Sequence, residues 1–353
     1  MAPRKVFLIG SGPLPMHNPS EMGFPALRTR QFLLPLLAAG HEVMLACLPL
    51  FHSFGMTVSM NWAVSRAMKI VLVANPRDEN ALFDAVEQEG VTVFPGVPAI
   101  YNALNHHPRT GSVDFSTVRA CICGSAPIPV EVMRKFEDMT GSVIVEGFGL
   151  SETSPVATCN PVFGDRRAGW IGVPVSSTRA KIVDVDDPTR ELPPGEEGEL
   201  LLAGPQVMQG YWNRPEETAQ VLLEGGWLAT GDLAIMSEDG FFRVVGRKKD
   251  MINCSGFKVY PDEVDAVLVE HEAVLEAATI GIPHAERGET VRSYVVLNDG
   301  AEASIDHLQA WCRERLAAYK VPREVEFLEE LPKSTVMKVL RRELRERALK
   351  TAE

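Results

Sequence analysis

Apolar positions fall into two spacings along this chain. Short apolar runs at residues 5–9, 43–48, 71–74, 91–94 and 118–122 have the length of buried strands, and residues 80–89 and 98–105 between them carry helical spacing. The opening adds a loop at 10–25 and a helix at 27–39 capped by Gly40. Strand and helix in alternation predict a parallel sheet with helices over its faces, continuing to about Thr153. From Gly169 the strands shorten and glycines and prolines crowd in, with Pro193-Pro194-Gly195 and a hairpin turn at Asp239-Gly240. That texture predicts a small β-barrel or sandwich. After Gly246-Arg247-Lys248-Lys249-Asp250, helices near 261–269 and 304–318 alternate with strands near 277–280 and 293–297, an α+β unit.

Composition narrows the function classes. At 353 residues the chain has room for two or three domains, and 45% hydrophobic with 23% charged residues is a globular balance that excludes a disordered tail or a fibrous repeat. Its 35 basic against 47 acidic residues give a net charge of −12, which repels phosphate backbones, so nucleic acid is not an expected partner. Of the six cysteines, Cys121 and Cys123 alone are close, a C-x-C without a second pair and so not a zinc framework. The apolar run at 6–9 stops at Gly10-Ser11-Gly12-Pro13, and the run at 32–39 is broken by Pro35 and is shorter than the ~20 residues of a membrane span. These features predict a cytoplasmic protein.

Several loops carry candidate chemistry. Cys123-Gly124-Ser125-Ala126-Pro127 follows a strand and precedes a helix at 129–139, whose Val132, Met133, Phe136 and Met139 have helical spacing. A glycine turn at the carboxyl end of a parallel strand is where open α/β sheets bind nucleotides, although ordinary βα turns look the same. The loop Glu146-Gly147-Phe148-Gly149-Leu150-Ser151-Glu152-Thr153, after a strand at 143–145, combines an aromatic face, a hydroxyl and a carboxylate. Those types suit stacking on a base and holding a magnesium ion that bridges phosphates; alone, Glu152 reads equally as a helix cap. Asp232, in Thr230-Gly231-Asp232, is either a turn aspartate or an acceptor for two adjacent hydroxyls such as a ribose diol. Arg247 suits phosphate or ribose, or a solvated linker. Lys338 ends the polar loop Pro332-Lys333-Ser334-Thr335-Val336-Met337-Lys338, ahead of a basic helix at 340–349, where a lysine can reach a reacting phosphate.

In this order, from about Val43 to the C-terminus, the motifs resemble the adenylate-forming superfamily of acyl-CoA synthetases, luciferases and peptide-synthetase adenylation domains, most closely bacterial medium- to long-chain fatty-acyl-CoA ligases. The resemblance implies an α/β fold in which a partial large adenylating domain, a parallel α/β part (44–167) plus a small β-barrel (168–248), precedes a mobile α+β lid (249–353). It implies an AMP-forming ligase that joins a fatty acid to ATP and then lets coenzyme A displace AMP, with ATP/AMP, magnesium and coenzyme A as cofactors. Gly124, Ser125, Ala126 and Pro127 would line the adenine site. Phe148 stands for the tyrosine that stacks on the base, next to Gly149, and Ser151 for the phosphate-binding threonine. Glu152 matches the magnesium ligand, Asp232 and Arg247 the ribose ligands, and Lys249 the hinge about which the lid turns. Lys338 matches the lysine that bridges carboxylate and α-phosphate, with Met337 in place of the glycine before it. His52, in Leu48-Pro49-Leu50-Phe51-His52, matches the gate of the carboxylate tunnel, though a lone histidine is more often structural. Gly256, in Ser255-Gly256-Phe257-Lys258, lies on the segment that approaches the pantetheine arm, and residues 97–101 and 149–156 border the acyl pocket.

The chain also departs from the family. The Ser/Thr/Gly-rich phosphate loop expected upstream of the Pro-x-x-His segment is not found, and residues 1–43 resemble instead the first β-α-β of a two-domain sugar-nucleotide glycosyltransferase. The expectation is a truncated or fused chain whose adenylation is impaired for want of phosphate donors, with an upstream partner chain as one remedy. The alternatives are a non-catalytic adenylate- or coenzyme A-binding remnant and half of a split enzyme; glycosyl transfer rests on the opening segment alone. The basic helix with Arg341, Arg342, Arg345 and Arg347 reads as a contact for membranes or coenzyme A phosphates, or as a solvated face.

Overall fold

Met44 and Leu45 are fully buried side by side in β1 (Val43–Ala46), yet they enter different cores. Successive side chains of a strand point to opposite faces, so a strand covered on both sides reads as a continuous apolar run. The computed structural model describes residues 40–334 and 337–351. The expected strand at 5–9, loop at 10–25 and helix at 27–39 therefore lie outside the described residues, as do Thr335 and Val336.

β1 pairs in parallel with β2 (Lys69–Leu72) and β3 (Val93–Gly96), and the parallel ladder continues through β4 (Ala120–Cys123) to β5 (Ile144–Gly149). Two antiparallel strands, β6 (Val156–Cys159) and β7 (Val173–Pro174), complete a seven-stranded sheet ordered β2-β1-β3-β4-β5-β6-β7. One face is covered by α1 (Glu79–Glu89), α2 (Pro98–His106) and α3 (Val130–Thr140), whose Leu82, Phe83, Tyr101, Leu104, Val132 and Phe136 join Leu45, Phe94 and Cys121 in the largest core. Asp78 caps α1 by accepting from the Ala81 amide at 3.1 Å. Met139, expected on the apolar face of α3, is 38% exposed. A π-helix, Gly55–Trp62, was not anticipated; it brings Phe54 and Val58 into the same core.

Two strands sit two residues from their expected places, β2 earlier and β3 later. β2 is an edge strand with Leu72 largely exposed, so its limits follow the pairing of Val43 with Lys69 rather than hydrophobicity.

The second sheet is antiparallel: β8 (Arg179–Val183), β9 (Glu197–Ala203) and β11 (Trp227–Met236) lie side by side, with β10 (Leu222–Leu223) and β12 (Phe242–Arg247) both paired to β11. β10 follows α4 (Pro215–Val221). The Asp239-Gly240 turn joins β11 to β12, with Gly240 at φ +83°. The third sheet, ordered β14-β13-β16-β15, is built from β13 (Ile252–Cys254), β14 (Phe257–Val259), β15 (Val274–His284) and β16 (Gly288–Leu297), and β17 (Glu324–Phe327) lies parallel on β16. Val264 and Leu268 of α5 (Pro261–Val269) and Leu308 and Cys312 of α6 (Ile305–Arg315) pack on one face, while Leu344 and Ala348 of α7 (Arg341–Thr351) pack on the other.

The third sheet docks on the first. Val269 and Met337 pack against the first core, and Asn102 Nδ2 donates to the Leu275 carbonyl at 3.0 Å. All six thiols are free and buried. Among the described residues no helix is long and apolar enough to cross a membrane.

Candidate active site

β4 ends at Cys123, and the chain turns through Gly124-Ser125-Ala126-Pro127 at the carboxyl end of the parallel sheet before entering α3. Ser125 takes φ +71°, a left-handed angle that reverses the chain within one residue. A Cβ on Gly124 would stand 3.2 Å from the Gly147 carbonyl and 3.4 Å from the Phe54 ring, so the turn lies flat against the end of β5. Glu146 pins this arrangement, with Oε1 accepting from the Ile128 amide at 3.4 Å and Oε2 from the Gly169 amide at 3.1 Å. Burial pushes its carboxyl up to about 7.

The segment expected as a loop after residue 145 is a strand as far as Gly149. Gly147, Phe148 and Gly149 belong to β5 and pair antiparallel with β6, Phe148 opposite Thr158. The half-buried Phe148 packs against the core of the second sheet. At Gly149 a Cβ would stand 1.7 Å from the Pro155 carbonyl oxygen, so only glycine fits. Gly149 thus serves strand pairing at close quarters, a signal that resembles a flexible turn in the sequence.

Ser151 and Glu152 follow in a 3₁₀ turn, Ser151–Thr153. Ser151 Oγ lies 3.4 Å from Ser53 Oγ. Glu152 Oε1 accepts from the Tyr211 hydroxyl at 2.8 Å, so its side chain is held by a tyrosine. Burial, and then the Glu152 carboxylate, push the Tyr211 hydroxyl up to about 12. Tyr211 was not singled out from the sequence; the aromatic pair Tyr211-Trp212 in a polar stretch was the available signal.

Asp232 and Arg247 face each other in register across the β11–β12 hairpin, and Arg247 Nε donates to Asp232 Oδ1 at 3.0 Å. Asp232 is buried, and its Oδ2 has no hydrogen-bond partner among the described residues. Burial raises its carboxyl while Arg247 and Lys338 pull it down. Lys249, the expected hinge, is exposed in the turn just after β12.

Lys338 arrives from the C-terminal unit. Its loop is closed by a bridge between Lys333 and Val339, by the Ser334 amide donating to the Lys338 carbonyl at 2.8 Å, and by the Lys338 amide on Ser334 Oγ at 3.3 Å. Met337 takes φ +60°, so methionine adopts the left-handed backbone that a glycine would take there. Its sulfur accepts from Arg77 Nε at 3.4 Å, a contact that ties the loop to the first sheet's unit. Burial and the Arg247 charge push the Lys338 amine down, with Asp232 opposing, and Lys338 in turn lowers His52 after burial. His52 Nδ1 accepts from the Phe54 amide at 3.2 Å, which orients its ring. The fold therefore brings Lys338 within electrostatic reach of His52 and of the Asp232–Arg247 pair, groups that stand far apart in the sequence. Gly256 is placed elsewhere, in the β13–β14 turn at φ +87°, beside an exposed Phe257 that stacks on Tyr319 at 4.8 Å.

Among the described residues no three acidic, histidine or cysteine side chains gather as a metal site. A single carboxylate such as Glu152 is a donor type that magnesium accepts when water and phosphate oxygens complete its shell. The partnerless Asp232 Oδ2 is the kind of acceptor that a hydroxyl donor satisfies.

The AMP-binding enzyme profile matches residues 26–212, and the AMP-binding enzyme C-terminal domain profile matches residues 263–338. A long-chain-fatty-acid–CoA ligase of Bacillus subtilis (strain 168) is 47% identical over 309 residues, covering 87% of this chain and 54% of that protein. Among solved structures, ATP-bound MatB from Rhodopseudomonas palustris superposes with a TM-score of 0.83 at 31% identity, covering 91% of this chain and 63% of that one. The anthranilate CoA ligase AuaEII in complex with anthranoyl-AMP gives 0.84 at 29%, covering 93% and 64%. The chain spans about half the length of the curated relatives it matches.

Proposed function

This chain belongs to the AMP-binding enzyme family, and from that premise we propose that it activates a fatty acid with ATP as an acyl-adenylate and passes the acyl group to coenzyme A. The observation that carries the reading is that the Lys338 loop is tied across the domain seam through Met337 and Arg77, with Lys338 within electrostatic reach of the Asp232–Arg247 pair. A cation delivered there faces the place where negative charge gathers as a carboxylate attacks the α-phosphate.

On this reading each residue of the site has a role. The flat turn at Gly124 to Pro127 and the ring of Phe148 form the adenine site. Asp232, held by Arg247, accepts from the ribose hydroxyls through its partnerless oxygen. Ser151 donates to phosphate, and Glu152, steadied by Tyr211, holds the magnesium ion that neutralises phosphate charge. Lys338 bridges the fatty carboxylate and the α-phosphate, and His52 lines the carboxylate's approach. Lys249 is the pivot for rotation of the C-terminal unit, and Gly256, with Phe257 and Tyr319, meets the pantetheine arm in the second step.

The relative from Bacillus subtilis supports a fatty acyl substrate at 47% identity. The test is pyrophosphate release with ATP, magnesium, coenzyme A and a panel of fatty acids, with Lys338→Ala and Glu152→Ala as controls. Fatty-acid-dependent release abolished by both substitutions supports a ligase. Absence of release, with AMP or an acyl-adenylate still bound, would leave an adenylate-binding module instead.

A further inference from the structure

The loop that carries Lys338 is held at both ends by half-buried or buried ion pairs. Upstream, Lys333 Nζ meets the Glu276 carboxylate on β15 at 2.7 Å. Downstream, Arg341, the first residue of α7, spans two carboxylates of α5: one guanidinium nitrogen reaches Asp262 Oδ1 and lies 2.6 Å from Asp265 Oδ2. Asp262 and Asp265 are three apart on one helix, so both present to the same point. Between the clamps the chain closes on itself, with the Leu340 amide donating to the Pro332 carbonyl at 2.8 Å. All five residues belong to the C-terminal unit, so the clamps would travel with Lys338 whenever that unit turns.

Surface ion pairs contribute little, and this fold has many. These differ in burial and in placement: the side chains of Lys333 and Asp265 are only 8% and 14% exposed, and the pairs sit directly on either side of one functional lysine. Two carboxylates converging on one guanidinium nitrogen hold Arg341 from two sides, and its charge-assisted bonds are stronger than neutral ones. The other arginines of α7 are also paired, Arg345 with Asp250, Arg347 with Glu326 and Arg342 with Glu346, but none of these is adjacent to the loop.

We propose that Arg341, gripped by Asp262 and Asp265, and Lys333, gripped by Glu276, are positioning residues that set the reach of Lys338 into the nucleotide site. The proposal rests on the adenylating reading of Lys338. They touch no substrate themselves; they act through Lys338.

The experiment is a thermodynamic cycle on binding of a non-hydrolysable probe, decanoyl-sulfamoyl adenosine, followed by calorimetry on the full chain. Lys338→Ala is expected to weaken binding about tenfold, the size of one charge-assisted contact. Arg341→Ala should lose most of the same factor, Arg341→Lys less, and the double variant Lys338→Ala/Arg341→Ala no more than Lys338→Ala alone. Amine footprinting supplies a readout independent of ligand: Lys338 should acylate several-fold faster in Arg341→Ala, and also in Glu276→Gln, which reaches the loop from its other end should Arg341→Ala fold poorly. Multiplying losses in the double variant would overturn the proposal, as would wild-type probe affinity and unchanged Lys338 reactivity in Arg341→Ala and Glu276→Gln. If Lys338→Ala itself binds as the wild type does, the adenylating reading fails and the clamps lose their purpose with it.

Discussion

Arg247 holds Asp232 from directly across a β-hairpin, the two residues being register partners of β11 and β12. The pair is lopsided. The Asp232 side chain is 4% exposed while that of Arg247 is 33% exposed, so removing the arginine strands a buried carboxylate. Arg247→Ala should therefore destabilise by roughly 2 kcal/mol, below the range for a fully buried pair because water still reaches the guanidinium. Asp232→Asn, which removes the buried charge while its amide oxygen can still accept from Arg247, should cost less. Urea denaturation at neutral pH measures both, and equal losses would contradict the argument.

Glu146 gives the fold a pH dependence of opposite sign to the usual paired carboxylate. Burial raises its folded value from 4.5 to about 7, so the native state holds this proton more tightly than the unfolded chain. The stabilisation from that proton is complete below pH 4.5 and is lost as pH rises to about 7. Its size is at most about 3 kcal/mol. Asp265, pushed up to about 6 by burial, titrates within the same interval, so the comparison that isolates Glu146 is wild type against Glu146→Gln. Stability of the wild type should fall relative to the variant between pH 5 and about 7.5. Parallel curves would show that Glu146 does not titrate there.

Two glycines that look alike in the sequence should respond differently to a methyl group. At Gly149 the added carbon would overlap the Pro155 carbonyl, whereas at Gly147 the nearest atom is Cys159 Sγ at 3.4 Å, an ordinary contact. Gly149→Ala should cost 3 kcal/mol or more, on the order of severe overpacking, or prevent folding, and Gly147→Ala about 1 kcal/mol or less. Thermal melts of the two variants decide it.

The Tyr211 hydroxyl, donating to Glu152 Oε1 at 2.8 Å, holds that carboxylate in place. If Glu152 holds magnesium as proposed, Tyr211→Phe should leave the melting temperature within a degree or two, since the contact is exposed, while raising the magnesium concentration that pyrophosphate release needs about tenfold, as loss of an outer partner of a metal ligand commonly does. A magnesium titration of the two proteins shows whether the hydroxyl matters.

The helices were the most readable part of this molecule. α1, α2 and α5 stand within a residue or so of their expected spans because caps and prolines mark them locally: Asp78 and Gly90 for α1, Pro98 for α2, Pro261 for α5. Strand limits were less readable, because the ends of β2 and β3 are decided by partners far along the chain. The π-helix at Gly55–Trp62 has no local signature at all; a Cβ on Gly55 would stand 2.4 Å from the Pro49 carbonyl, a constraint visible only in three dimensions. Within the site, residue types and order pointed to Asp232, Arg247 and Lys338, but the approach of Lys338 to the other two depends on how the C-terminal unit sits against the second sheet. Tyr211 and the clamps on Arg341 escaped notice for the same reason, since a hydrogen bond between positions 59 or 76 residues apart leaves no trace in spacing.

The six buried thiols amount to a built-in chemical clock. Burial pushes every one of them up, so in the native state almost none is present as the reactive thiolate. Cys47, Cys121, Cys123 and Cys159 lie in the cores on the two faces of the first sheet, while Cys254 and Cys312 lie in the third unit's core, so each region carries its own set of reporters. The rate at which each sulfur becomes modified by an alkylating reagent then records how often its surroundings open, and the two sets can run at different speeds within one molecule.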